Sequence, residues 1–262
     1  MTSERPDEVV RYEHSNGAAT LTLARPPANA LGEPIIAGLS LAVERAAADG
    51  VGVVVVRSEV PGFFAAGADL TLFDGLEVEG FLDYLDRLRS VIEHLGEGPW
   101  VSIAAIDGHA LGGGLELAMA CTMRVASTAA RLGVPEVKLG LLPGAAGTQR
   151  LPRLIGRGPA VDLLLTGRSV DGAEAHRLGL VDRLTEPGDT DRVAGELASA
   201  LAAGPGEAHA AILRCVQAAD RLELAAGMVV ERDEVADLFA SPDGREGVAA
   251  FLEKRRPSFG GD

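Results

Sequence analysis

The most informative part of the chain is residues 101–119, which read VSIAAIDGHALGGGLELAM. A short apolar run comes first, a glycine-rich turn follows, and a helix-forming segment begins after Gly114. Residues 51–56, VGVVVV, are a similar run without the alternation expected of a strand that has one wet face. Such runs are typical of strands buried beneath helices on both faces. The pattern therefore predicts strands, tight loops and helices in an α/β fold.

The same kinds of element recur through residues 1–188. An Asn16-Gly17 turn joins two strand-like segments, 9–14 and 19–24, as in a β-hairpin. Helical apolar spacing follows at 34–49, where Ile35, Leu39 and Val43 are four residues apart, and again at 77–95. We therefore predict an α/β core over residues 1–188.

The sequence pattern changes after Pro187. Four segments with helical patterns follow one another, separated by turn sequences such as Gly204-Pro205-Gly206. The predicted helices are residues 191–203, 207–220, 222–239 and 243–253. We therefore predict a C-terminal helical region over residues 189–262.

The composition excludes several classes of protein. The chain has 262 residues, 47% of them hydrophobic, so it can bury a core. Its net charge of −14 argues against nucleic acid or an anionic membrane surface as a partner. No apolar run approaches the ~18 residues of a membrane span. Because the N-terminus is acidic and polar and there are only 2 cysteines, we expect a cytoplasmic protein.

Two glycine-rich loops, residues 63–70 and 107–114, are candidate binding sites. The second loop opens a helix, whose N-terminal N–H groups could hold an anion or a developing oxyanion. Leu117 stands where a dinucleotide fingerprint needs its third glycine, and no Walker-type lysine follows, so NAD and ATP are poor candidates. The alternative is that these glycines only permit tight turns and close packing.

Two glutamates in apolar surroundings, Glu116 and Glu136, are candidate acid and base groups. If folding brings both into one pocket, they could hold a water and perform acid–base catalysis. The alternative is that each lies on the exposed face of an amphipathic element. The five histidines are scattered, and no HExxH or GxSxG motif is present, so neither a metal site nor a nucleophilic triad is predicted.

At these residues the chain resembles the crotonase superfamily, and within it the enoyl-CoA hydratases. The matching motifs run in the family order over nearly the whole chain. They are FAAGADL (64–70), IDGHALGGGLELA (106–118), PE (135–136), LGLLPGAAGTQRL (139–151), TGR (166–168), AEA (173–175), GLVD (179–182) and EGVAAFLEKR (246–255). The resemblance implies a spiral of ββα units whose C-terminal helices mediate a homotrimer or a dimer of trimers.

The resemblance also implies an acyl-CoA site. The backbone N–H groups of Ala68 and Gly113 would hold the thioester oxygen. The carboxylates of Glu116 and Glu136 would flank a water. Our hypothesis is that Glu116 activates this water as base and Glu136 delivers a proton to C2; the alternative is that the coupled pair shares these roles. The N–H of Gly144 would contact that water. Because CoA is part of the substrate, no separate cofactor and no metal is expected.

Contacts with CoA and the substrate are expected from a second group of residues. Because CoA carries phosphates and the chain is acidic, Arg25 and Lys254 are the candidate phosphate contacts. Phe251 and Lys254 match tail positions that touch CoA in this family, often from a neighbouring subunit. The remaining substrate contacts implied by the resemblance are Ala66, Ala68, Asp69, Leu70 and Gly112.

Some positions depart from the hydratase pattern. Thr71 replaces a frequent lysine, Val134 replaces a glutamine, and Ala145-Ala146 replaces Ala-Gly. A proline-rich loop at residues 25–31 is also one residue short, and so lacks a basic position near Pro27. These changes lie around the expected CoA and acyl contacts, so they bear on affinity and on acyl preference.

The predicted function is hydration of trans-2-enoyl-CoA to 3-hydroxyacyl-CoA, as in fatty-acid β-oxidation. Two alternatives remain open. One is a Δ3,Δ2-enoyl-CoA isomerase of the same superfamily, which needs only one carboxylate. The other is a non-catalytic acyl-CoA-binding protein on the same fold.

Overall fold

The fold is seen in a computed structural model, which describes residues 5–260. The first four residues of the predicted region 1–188 and the last two residues of the predicted region 189–262 lie outside this range. Two sheets and a set of covering helices form an α/β structure, as predicted.

The larger sheet has six strands in the order β1-β2-β3-β5-β7-β10. Only the β1–β2 hairpin is antiparallel, and the other neighbours are parallel. Asn16 and Gly17 both have positive φ in the hairpin turn, as the Asn-Gly sequence predicts. The strands are β1 Val10–Ser15, β2 Ala18–Leu23, β3 Val53–Ser58, β5 Val101–Ile106, β7 Met123–Ser127 and β10 Arg183–Thr185.

The smaller sheet has four short strands in the order β4-β6-β8-β9. Each of β3, β5 and β7 is followed along the chain by a strand of this second sheet, which gives the repeated strand pairs of a ββα spiral. The strands are β4 Phe63–Ala65, β6 His109–Leu111, β8 Arg131–Gly133 and β9 Ser169–Asp171. The two predicted glycine loops therefore each contain a three-residue strand.

In the described part of the chain, seven helices precede or lie between the strands. They are α1 Pro6–Val9, α2 Glu33–Ala48, α3 Val78–Glu97, α4 Gly113–Ala120, α5 Gly147–Ile155, α6 Arg157–Thr166 and α7 Gly172–Leu178. Short 3-10 helices cover Leu70–Leu72 and Pro135–Leu139. The apolar face of α3, including Leu88 and Ile92, is buried in the main core, as its periodicity predicts.

Four helices end the described chain: α8 Thr190–Ala202, α9 Gly206–Ala219, α10 Leu224–Ala240 and α11 Pro242–Glu253. Ala194 and Leu197 of α8 pack with Val53, Ile103 and Val125, so α8 covers one face of the larger sheet. The boundary between residues 188 and 189 stays a prediction. From Arg5 to Gly260, no helix has both the length and the apolar character to cross a membrane.

Candidate active site

A cavity of about 140 Å³ lies between the two glycine-rich loops, α3 and the 3-10 helix at Pro135–Leu139. Its walls are mostly apolar. The lining residues are Ala66, Gly67, Ala68, Leu70, Phe73, Phe81, Tyr84, Leu85, Leu88, Gly112, Gly113, Glu116, Pro135, Glu136, Leu139, Leu141, Leu142, Gly144 and Ala145.

The two predicted oxyanion donors, the backbone N–H groups of Ala68 and Gly113, come from facing loops. Gly67 has φ +96°, and a Cβ added there would lie 2.9 Å from the carbonyl oxygen of Leu111 and 3.4 Å from the nitrogen of Gly113. Only glycine permits this close approach. Within residues 5–260 neither N–H donates a hydrogen bond to another protein group. The site therefore presents two unpaired donors, as an oxyanion hole requires.

Glu116 lies in the first turn of α4 and is 2% exposed. One of its carboxylate oxygens, Oε1, accepts a hydrogen bond of 2.7 Å from the N–H of Gly147. Burial raises the pKa of Glu116 to about 7; the Gly147 bond opposes this rise, and the Glu136 carboxylate adds to it. The group can therefore gain or lose a proton near neutral pH, as acid–base catalysis requires.

Glu136 follows Pro135 in the 3-10 helix. Its Oε2 atom is buried and has no hydrogen-bond partner within the described chain. Burial raises the pKa of this carboxyl as well. Gly112, with φ +53°, leaves room for it, because a Cβ there would lie 2.6 Å from Oε1 of Glu136. A buried carboxylate oxygen without a partner is expensive to maintain, so it indicates a group kept for a ligand.

The structure thus brings Ala68, Gly113, Glu116, Glu136 and Gly144 to one cavity. Like the two oxyanion donors, the N–H of Gly144 has no acceptor among residues 5–260. Of the other predicted substrate contacts, Ala66, Leu70 and Gly112 also line the cavity.

Four predicted contact residues lie elsewhere. Asp69 does not line the cavity, and its carboxylate instead binds Arg25 at 2.9 Å. Phe251, on α11, is 82% exposed, and the exposed Lys254 caps the end of that helix. Neither residue lines the cavity of its own chain, so their contact with CoA from a neighbouring subunit stays a prediction.

One wall of the cavity has no counterpart among the residues predicted from the sequence. It is formed by Phe73 and by Phe81, Tyr84, Leu85 and Leu88 of α3. The apolar periodicity of α3 shows that its buried residues share one face. It does not show that this face reaches a cavity, because that depends on where the helix packs. Among residues 5–260, no group of three or more His, Cys, Asp or Glu is arranged to hold a metal ion.

The family model for enoyl-CoA hydratase/isomerase matches residues 13–262. The chain belongs to the enoyl-CoA hydratase/isomerase family. A family member from Bacillus subtilis, named probable enoyl-CoA hydratase, is 39% identical over 247 residues, covering 93% of this chain and 95% of that protein. The mitochondrial methylglutaconyl-CoA hydratase of Mus musculus is 40% identical over 240 residues, covering 89% and 76% of the two chains.

Solved structures of the family share the fold. The enoyl-CoA hydratase of Bacillus anthracis superposes with a TM-score of 0.92 at 32% identity, covering 97% of this chain and 100% of that chain. The crotonase-like α/β architecture expected from the sequence motifs is therefore confirmed.

Proposed function

We propose that this protein hydrates trans-2-enoyl-CoA thioesters to 3-hydroxyacyl-CoA thioesters. One observation carries the proposal: the buried carboxylate of Glu116 and the partly buried carboxylate of Glu136 share a cavity with the unpaired N–H groups of Ala68 and Gly113.

The oxyanion donors would act on the thioester. When water adds to C3, electron density moves through the C2–C3 double bond to the thioester oxygen, which becomes enolate-like. Two aimed N–H donors bind this charge more strongly than the ground-state carbonyl. By analogy with other oxyanion holes, each donor contributes about 2.7–4 kcal/mol to transition-state stabilisation.

The two glutamates would handle the protons. Glu116 takes a proton from the water as its oxygen bonds to C3, and the Gly144 N–H orients that water. Glu136 then gives a proton to C2 as the enolate collapses, so that one water has been added in total. The two carboxyls form a coupled pair, and proton exchange between them or with solvent restores the starting state.

The lining of the cavity favours an uncharged hydrocarbon acyl group. Among the described residues that line it, the ionisable side chains are Glu116, Glu136 and Tyr84, and no lysine, arginine or histidine is present. A substrate with a second carboxylate, such as a methylglutaconyl group, would bring negative charge beside two acids in an apolar cavity. We therefore propose that the substrates are the hydrocarbon enoyl thioesters of β-oxidation rather than thioesters with a second carboxylate.

We also propose that the chain forms a homotrimer or a dimer of trimers. Helices α9–α11 expose large apolar side chains, including Leu224 at 80%, Phe239 at 76% and Phe251 at 82%. An apolar surface of this kind is typical of a subunit interface. Such an assembly would allow Phe251 and Lys254 to reach the CoA of a neighbouring subunit.

The proposed activity is tested by the absorbance of the conjugated enoyl thioester. We expect crotonyl-CoA and trans-2-hexenoyl-CoA to lose this absorbance as 3-hydroxyacyl-CoA forms. Conversion of a trans-3-enoyl-CoA into the conjugated isomer without hydration would instead indicate an isomerase. Tight binding of acyl-CoA with no turnover at any chain length would indicate a non-catalytic binding protein.

A further inference from the structure

Arg25 lies in the segment between β2 and α2, and its guanidinium is bound within the protein. Its Nη1 group donates to Oδ2 of Asp69 at 2.9 Å and to the carbonyl oxygen of Ala30 at 2.9 Å. The side chains of Arg25 and Asp69 are only 18% and 14% exposed. The positive charge is therefore neutralised by a shielded partner, an arrangement that differs from an open phosphate contact.

Asp69 is the residue directly after the oxyanion donor Ala68. Its second oxygen, Oδ1, accepts hydrogen bonds from the hydroxyl of Thr71 at 2.6 Å and from the N–H of Thr71 at 3.3 Å. The bonds from Thr71 and the ion pair with Arg25 hold the pKa of Asp69 below its usual range. The carboxylate thus stays charged and is held from two sides, which fixes the backbone next to Ala68.

A second set of bonds holds the other side of the same loop. The N–H of Leu31 donates to the carbonyl oxygen of Gly67 at 2.7 Å. The buried amide of Asn29 donates to the carbonyl oxygen of Phe64 at 2.9 Å and accepts from the backbone N–H of Arg25 at 2.8 Å. Residues 25–31 therefore form a frame along residues 64–69, and this frame leaves the Ala68 N–H unpaired within residues 5–260.

We propose that Arg25, acting through Asp69, is a positioning residue that aims the Ala68 N–H at the thioester oxygen. The inference rests on the proposed hydration and gives Arg25 a role other than binding CoA phosphate. A donor stabilises a developing oxyanion only when it is held in place before the reaction. A loop that relaxes after loss of the ion pair would misplace the donor, and a shift of about 1 Å can cost about 100-fold in rate.

The test compares Arg25→Gln and Asp69→Asn with a control, Arg87→Gln, which removes an exposed ion pair to Glu33. Each protein is assayed with crotonyl-CoA and with crotonyl-pantetheine, which lacks the nucleotide phosphates. We expect kcat to fall about 10- to 100-fold with both substrates in both variants, with little change in KM. We expect the double variant to be no worse than the poorer single variant. The control should match the wild type.

Two outcomes would overturn the inference. One is a defect that appears only as a raised KM and only with the CoA substrate, because that result assigns Arg25 to a phosphate contact. The other is wild-type kcat in Arg25→Gln. If the charge variants do not fold, Gly32→Ala serves instead, because its Cβ would lie 3.2 Å from both Arg25 Nη1 and Asp69 Oδ2 and would disturb the pair. An unchanged kcat in that variant would also overturn the inference.

Failure of the proposed function is recognised separately, in the wild type. If the wild type hydrates no enoyl-CoA, the inference is tested with acetoacetyl-CoA, whose enolate mimics the charge on the thioester oxygen and has its own absorbance. We expect the wild type to bind this enolate and Arg25→Gln to bind it about 10-fold or more weakly, while butyryl-CoA binding stays the same. Equal enolate binding by both proteins, or none by either, would overturn the inference.

Discussion

The carboxylates of Glu116 and Glu136 line one cavity, although β7 and β8 separate the two residues along the chain. Burial raises the pKa of both, and the charge of Glu136 adds to the rise at Glu116. Their proximity has consequences for stability as well as for catalysis.

Stability should depend on pH through Glu116. Its pKa rises from 4.5 to about 7 on folding, so between these values the folded protein holds a proton that the unfolded chain has released. The stabilisation of the folded state by this proton uptake is fully present below about pH 4.5 and is lost as the pH rises through about 7. The free energy of unfolding then falls by an amount on the order of 3 kcal/mol. Glu116→Gln lacks this titration.

Urea unfolding at pH 5 and pH 8 checks this prediction. We expect the free energy of unfolding of the wild type to fall more between the two pH values than that of Glu116→Gln. The difference between the proteins reports Glu116 together with its coupling to Glu136, because the other titrating groups are common to both. Parallel pH dependences would contradict a raised pKa at this residue.

Gly112→Ala should reduce activity by displacing Glu136. The added Cβ would lie 2.6 Å from Oε1 of Glu136. Gly156→Ala is the matched control, because Gly156 also has positive φ, +78°, but has nothing within 4 Å of an added Cβ. Both substitutions should cost about 1–3 kcal/mol in backbone strain. Only Gly112→Ala should lower kcat, by about 100-fold, in the enoyl-CoA assay. Equal kcat in the two variants would show that Glu136 is free to move.

Gly114→Ala should destabilise the fold. Its Cβ would collide with the carbonyl oxygen of Ala65 in β4, where α4 packs against the smaller sheet. We expect a loss of about 1–3 kcal/mol in thermal or urea unfolding. Gly195→Ala, in the exposed part of α8 with nothing near its added Cβ, should instead gain about 0.5–1 kcal/mol. Similar effects of the two substitutions would contradict the close packing of α4.

The exposed apolar side chains of α9–α11 predict self-association. Sedimentation equilibrium should give a trimer or a hexamer for the wild type. Replacing Leu224 and Phe239 together by Asp should shift the protein to smaller species, since charged groups are disfavoured in an apolar interface. Leu41→Asp, at an exposed position of α2, should leave the mass unchanged. A monomeric wild type would contradict the proposed trimer.

The sequence predicts the longer elements well. The apolar run that opens residues 101–119 is β5, which is buried at every position, as a run without alternation predicts. The four C-terminal helices begin and end close to their predicted bounds, because each is long enough to show its helical periodicity. The strands β4, β6, β8 and β9 have three residues each, too few for alternation to be recognised. Their pairing into a second sheet depends on contacts between distant segments.

For the candidate site too, local sequence predicts some features, and others depend on contacts between distant segments. The glycine loops and both glutamates can be selected from local sequence, because each belongs to a motif. That Glu116 and Glu136 meet, and that Arg25 binds Asp69, depends on tertiary packing that no local pattern encodes. The charge of Arg25 suggests a phosphate contact, and charge does not reveal a partner 44 residues away.

The most direct test of the central claim is hydration of crotonyl-CoA by Glu116→Gln and Glu136→Gln, measured as loss of the enoyl-thioester absorbance. Glutamine keeps the size of the side chain and removes its ability to exchange a proton. Each variant should fold and bind butyryl-CoA, and each should lose about 100-fold or more in kcat. Hydration at close to the wild-type rate by either variant would contradict the proposal that two carboxylates add water across the double bond.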